Sequence, residues 1–496
     1  MRKFLDLFTF SIAACICSFE FGFSDSGPTH IIGLMVDFPY EEYDDPLTTG
    51  RGVFLQSSTD QYSLDTVLLC NGFLVDSPPH DKNYFANQIK AVSNYYNSVS
   101  NNNVNFENNF YVLDSIYTVS NPMRSYAVSD KKLAEFFNES LRLAKNDIEN
   151  LNLDVSNSIL VVFHAGMGQD FSVPFIDPTS HDLKSAYVDE QMLDGTELVE
   201  ISGHLVSRGI ILPETQNMIY FDVAQDIFSS TSDLCDIQIG LTGTFALLFG
   251  YAFDLPPLFN TETGNPGVGV FGLMDYGSNN GRGIIPSPPS PWTRIKKGWS
   301  NEIVITESGQ YTVRSRHNNG DIYRINISDT EYFLIENRNN WIIDDDSIDS
   351  LRVKNDDGVY NENLDYWFDT FLTNISSNVF DTTSGVFTKI ENYDFGTPGS
   401  GILIWHIDES RINDQFDGIN NDINNMAIRI EEADGAVDIG NSNLLPSIWD
   451  EHIYGWAYDM WYIGNPDYSI VNSYSVSSNE VIFDDDTRPN SNTSKG

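Results

Sequence analysis

Basic side chains are scarce in this 496-residue chain, where 27 lysines and arginines stand against 71 aspartates and glutamates, a formal net charge of −44. A surface of that balance repels phosphate backbones and anionic headgroups, so nucleic acid is not an expected partner. Cysteine is sparse too. With four residues of that type, no dense disulfide framework can stand in for a hydrophobic core. Beyond the N-terminus no apolar run is long enough to span a bilayer; 240–253 comes nearest and is broken by Gly240, Gly243 and Gly250. No G-x-S-x-G elbow and no Walker-type glycine loop occurs, which removes the common serine-hydrolase and phosphate-cradle signatures. Nothing repeats at a fixed period, which excludes a solenoid.

What is present begins with Arg2 and Lys3 ahead of an apolar stretch from Phe4, the pattern of an export signal. Cleavage fits after Ser24. Ile12-Ala-Ala-Cys15 also spells a lipoprotein box, so anchoring through Cys15 stays open beside release. An extracellular or cell-envelope location is expected. Cys70 and Cys235 then remain, either as one disulfide or as two buried thiols.

The length calls for more than one core, and the pattern changes along the chain. In 25–299, apolar spacing predicts helices over 84–99, 130–153 and 242–253, interleaved with strands at 31–36, 109–117 and 158–163. Residues 242–253 are apolar on every side, as a fully buried helix requires. Prolines 286, 288, 289 and 291 precede a boundary near Trp299. From 300 to 496 short alternating strands dominate, among them 311–316, 323–327, 332–335, 402–407 and 427–430. They point to an all-β, sandwich-like half. An acidic insertion, 339–396, interrupts two of its strands. The expected fold class is α+β.

Several segments in order resemble the immune inhibitor A-like secreted metallopeptidase family, a metzincin-like group of zinc enzymes. They include Ile32–Pro39, His164-Ala-Gly-Met-Gly-Gln169, Leu255-Pro-Pro-Leu-Phe259, Phe271-Gly-Leu-Met-Asp-Tyr-Gly277, Trp292-Thr-Arg-Ile295, Gly401-Ile-Leu-Ile-Trp-His-Ile-Asp-Glu409 and Arg429-Ile-Glu-Glu-Ala-Asp-Gly435. The resemblance implies a mixed α/β peptidase domain, a β-rich second half and zinc-dependent proteolysis. Chain-end segment 488–496 resembles a part of the family that continues into more strands, so truncation is also implied.

In that family a helix carries HExxHxxGxxD: two imidazoles one turn apart, a glutamate base, a glycine turn and a third ligand. Aligned on Leu255–Phe259, these chemical positions fall on Leu247, Leu248, Tyr251, Asp254 for the turn and Pro257. Every ligand and the base are replaced. No histidine lies between His204 and His317, so no shift of register restores a pair, and zinc is not expected. Met274 resembles the methionine turn under the zinc, and His164 is a candidate cleft residue or a hydrogen-bonded core histidine.

Elsewhere, His406, Asp408 and Glu409 read as metal ligands or, lacking a further histidine, as strand packing. Asp414, Asp417, Asn420 and Asp422, followed by Glu431, Glu432 and Asp434, have the oxygen density calcium favours, although a solvated loop has it too. The leading expectation is an exported, inactive pseudopeptidase that binds a protein or peptide. One rival is an active metallopeptidase using other ligands such as His164 or His406; another is a calcium-organised envelope or matrix protein.

Overall fold

The computed structural model describes residues 27–58, 60, 75–172, 177–218, 238–316, 320–343, 346–347, 378–412, 418–441, 451–473 and 480–493. Strand β1 (His30–Asp37) is buried from Ile31 to Val36 on both faces, which is why its sequence is a continuous apolar run rather than an alternation. It pairs in parallel with β2 (Phe110–Thr118) and β3 (Ser158–Met167). Beyond β3 lie β4 (Ala186–Val188), a small pair β5 (Glu200–Ile201) and β6 (His204–Leu205), and β7 (Gly209–Thr215). The main sheet runs β2-β1-β3-β7-β4, four parallel strands closed by an antiparallel edge.

Parallel neighbours need crossovers, and two helices supply them. Helix α1 (Lys82–Val99) starts at Asp81, whose carboxylate accepts from the amides of Asn83 and Tyr84; α2 (Asp130–Asn150) starts at Ser129, which accepts from Lys132. Helix α3 (Leu241–Ala252) follows β7. Alternation along β3 divides the three. Phe163 meets Phe85 of α1 at 4.6 Å and Phe245 of α3 at 5.9 Å, whereas its neighbour His164 meets Phe136 of α2 at 6.2 Å. So α1 and α3 share one face and α2 covers the other.

After α4 (Pro291–Lys296), capped by Ser290, the chain turns to β structure. Strands β8 (Glu302–Val304), β9 (Ile322–Asn326) and β10 (Glu331–Arg338) precede two pairs, β11 (Trp341–Ile343) with β12 (Asp346–Ser347), and β13 (Val379–Asp381) with β14 (Val386–Lys389). β15 (Gly401–Asp408), β16 (Ile428–Ile430) and helix α5 (Pro466–Val471) complete the order. The principal sheet here is β16-β15-β10-β9-β8. β10 and β15 are antiparallel partners over their full length, from Glu331 opposite Asp408 to Arg338 opposite Gly401, so the acidic insertion is the connection between two adjacent strands.

The whole is a mixed α and β structure compatible with the α+β class. Among the described residues beyond 299, no second sheet of comparable size accompanies the five-stranded one. The expected strand at 311–316 is reduced to a single bridge, Ser315 with Asn337. Its Arg314 instead turns back on Asp321, with Nε–Oδ2 2.9 Å and a second contact of 2.7 Å.

One hydrophobic cluster extends from Ile31 to Met460. Helix α1 is roofed by the β13–β14 hairpin: Asn87 Nδ2 donates to Ser384 Oγ at 3.1 Å, Asn94 Nδ2 to the Thr388 carbonyl at 2.6 Å, and Tyr95 packs on Tyr393 at 4.9 Å. Buried charges bridge the same junction. Arg294 of α4 pairs with Glu336 of β10, and Arg338 lies 3.3 Å from Asp394 while donating to the Phe271 carbonyl at 2.9 Å. No described helix is long and apolar enough to cross a membrane.

Candidate functional site

Helix α3 contains no polar group stronger than threonine or tyrosine, so it gains most by burial on all sides, and only Thr244 is partly exposed. Its C-terminus is closed by two backbone bonds, Leu255 N–H to the Gly250 carbonyl at 3.0 Å and Asp254 N–H to the Tyr251 carbonyl at 2.9 Å. Asp254 takes the left-handed conformation, φ 55°, at the position where the resemblance calls for glycine.

Leu247, Leu248 and Tyr251 are 3 %, 4 % and 2 % exposed, and Pro257 is buried. Tyr251 lies against Tyr187 of edge strand β4, ring centroids 5.7 Å apart. Burial, with the Asp275 carboxylate adding to it, raises the Tyr251 pKa and keeps the phenol protonated. Two leucines, a proline and a protonated phenol do not fit zinc, which requires imidazole, thiolate or carboxylate donors. Met274 is fully buried beneath the helix: a β-carbon on Gly250 would lie 2.5 Å from its sulfur. Glycine at 250 is what lets the methionine loop and α3 approach.

That loop is held by Asp275. Its Oδ2 accepts from the amides of Gly267, Val268 and Gly269 at 2.8, 2.7 and 3.0 Å, and Oδ1 from Tyr276 at 2.8 Å. Burial outweighs these donors and pushes its pKa up to about 7.

The other end of α3 depends on residues that carried no sequence signal. Gly240 has no side chain to cap the helix, and Asp76 does it instead, Oδ2 accepting from Leu241 N–H at 2.7 Å and Oδ1 from Gln88 Nε2 at 2.7 Å. Burial raises the Asp76 pKa to about 6. His80 Nε2 is 3.0 Å from the Asp76 carbonyl and its Nδ1 2.8 Å from Glu214 Oε2; Tyr84 donates to the Glu214 carbonyl at 2.6 Å. A polar network thus joins α1, β7 and the start of α3. Because the cap comes from 165 positions upstream, no local motif announces it.

His164 is separated from α3 by the sheet. It is wholly buried between Phe38 and Phe136, Nδ1 is 2.9 Å from the Ala165 carbonyl, and Nε2 has no hydrogen-bond partner. Burial pulls its pKa down to about 4. Of the two readings of His164, cleft residue or core histidine, this geometry fits a neutral core histidine.

The acidic run is split by the fold. Asn420 donates to the Leu258 and Ile428 carbonyls, both at 2.8 Å, and accepts from Ala427 and Ile428 amides, so its amide is committed to backbone. Asp422 is exposed and caps its own turn through Asn424 and Asn425. Asp414 and Asp417 lie outside the described residues, as do Cys15, Cys70 and Cys235. Glu431 pairs with His406 Nδ1 at 2.6 Å while Glu331 takes Nε2 at 2.8 Å, placing His406 in a strand-to-strand ion network. Asp408 accepts from Arg411, and Glu409 from Tyr332 and Trp292. Glu432 and Asp434 turn away toward a different set of carboxylates.

No protein-family model matches the chain, and no curated protein matches it in sequence.

Proposed function

We propose that this chain is an exported, metallopeptidase-like protein of the immune inhibitor A kind, metzincin-like up to about Trp299 and β-rich beyond, that binds a peptide or protein instead of hydrolysing it. The observation that carries this reading is the helix α3 itself. It sits over Met274 and beside the antiparallel edge strand β4, and Leu247, Leu248 and Tyr251, the positions that the resemblance assigns to catalytic groups, are buried. Leucines at 247 and 248 join the core without adding a polar side chain to it. Strand β4 is the last of its sheet among the described residues, and an antiparallel edge is the kind of surface to which extended peptides add.

The test is metal analysis of the purified full chain together with an assay on unfolded casein. The expected result is zinc far below one ion per chain and no chelator-sensitive cleavage, with casein peptides retained on the immobilised protein. Stoichiometric zinc with cleavage abolished by chelator would overturn the proposal in favour of an active metallopeptidase.

A further inference from the structure

Glu432 and Asp438, from the loop after β16, converge with Asp459, from the short 3-10 turn Ala457–Asp459. Each offers a carboxylate oxygen, and these oxygens all lie within 4.8 Å of one another. Asp434 stands beside them, with Oδ2 3.2 Å from the Trp456 indole nitrogen. The charges bearing on Glu432 are those of Asp438 and Asp434; those bearing on Asp459 are Glu432, Asp434 and Asp438. Burial and this mutual repulsion push both acids well above the usual carboxylate range.

The donors already present do not account for the cluster. Asp459 is fully buried; its Oδ2 accepts from Trp456 N–H at 2.7 Å, and its Oδ1 is buried with no hydrogen-bond partner. Among the described residues, Glu432 accepts from backbone amides, those of Asp438 at 2.8 Å and Ile439 at 3.3 Å. An unpartnered carboxylate oxygen inside the protein bears a desolvation cost, larger when charged, and is seldom kept without a compensating group. A cation between the carboxylates supplies one.

We propose that Glu432, Asp438 and Asp459, supported by Asp434, form a divalent-cation site selective for calcium. Calcium–oxygen distances of about 2.3–2.6 Å allow two ligands of one ion to stand up to roughly 5 Å apart, which is the span of this group. The donors are all hard oxygens, and several are carboxylates. Magnesium keeps most of its water and takes one or two carboxylates, while zinc favours nitrogen and sulfur. The site is independent of α3 and of the peptide-binding proposal. It is also distinct from the loop containing Asp422, which is solvated.

The test uses the full chain, stripped of metal by chelator, with calcium chloride alone as the probe. Equilibrium dialysis and thermal unfolding are compared for wild type, Asp459→Asn and Asp438→Asn. Calcium is expected to raise the wild-type melting temperature by several degrees, an effect magnesium does not reproduce at equal concentration. Both variants should lose that rise and one bound calcium per chain. In chelator Asp459→Asn should melt higher than wild type, since one of the repelling charges is gone; Asp438→Asn, on a more exposed residue, serves if the first variant does not fold. A flat wild-type response, or a calcium response retained in the variants, would overturn the proposal.

Discussion

At the scale of single residues, the buried acids and histidines are where charge and packing conflict, and His164 gives the cleanest consequence. Its ordinary pKa of 6.5 falls to about 4 in the folded protein because burial disfavours the imidazolium. Between those values the unfolded chain binds the proton and the native one does not, so stability is retained above pH 6.5 and lost as pH falls toward 4. At pH 5 the loss from this residue is about 2 kcal/mol. His164→Leu should abolish it: the variant gains on wild type at pH 5 in thermal unfolding, and the gap narrows at pH 7.5. An equal gap at both values would mean that the histidine is not the titrating group. In the sequence, His164 beside a glycine-rich segment reads as a cleft residue or, more readily, as a hydrogen-bonded core histidine. The difference is one position of strand alternation, which sends Phe163 to the face of α1 and α3 and His164 to that of α2. Glu432 and Asp434 were visible as acids, but their partners Asp438 and Asp459 gain meaning only from folding.

Among elements, those with strong internal periodicity were legible and those fixed by distant neighbours were not. The three helices expected from apolar spacing occur at 82–99, 130–150 and 241–252, and strands β1, β3, β10 and β15 fall over their apolar runs. Strand β7 escaped notice because Pro213 sits inside it, opposite His164, a residue that ordinarily argues against a central strand. Ladder position, not composition, decided the fate of 311–316 as well. For α3, the turn at Asp254 predicts its own test. A non-glycine residue at φ 55° bears a steric cost that glycine avoids, so Asp254→Gly should stabilise the protein by up to about 1 kcal/mol in thermal or urea unfolding. Destabilisation would show that the aspartate side chain contributes more than its backbone strain takes away.

For the whole molecule, the continuous cluster from Ile31 to Met460 and the buried ions between α4 and β10 make the two halves interdependent. Glu336 is 2 % exposed and holds both Arg294 and the Trp405 indole. Glu336→Gln leaves the arginine buried without its counter-charge, which costs about 3–5 kcal/mol. Calorimetry should show one transition that moves to lower temperature as a unit; two transitions with only one displaced would refute the coupling. The hairpin over α1 adds a constraint in time. Asn87 waits for Ser384, which lies 297 residues later in the chain. At synthesis rates of about 5–20 residues per second, roughly 15–60 s pass before the roof of that helix exists. During that interval Asn87, Asn94 and Tyr95 lack the partners that cover them in the folded chain.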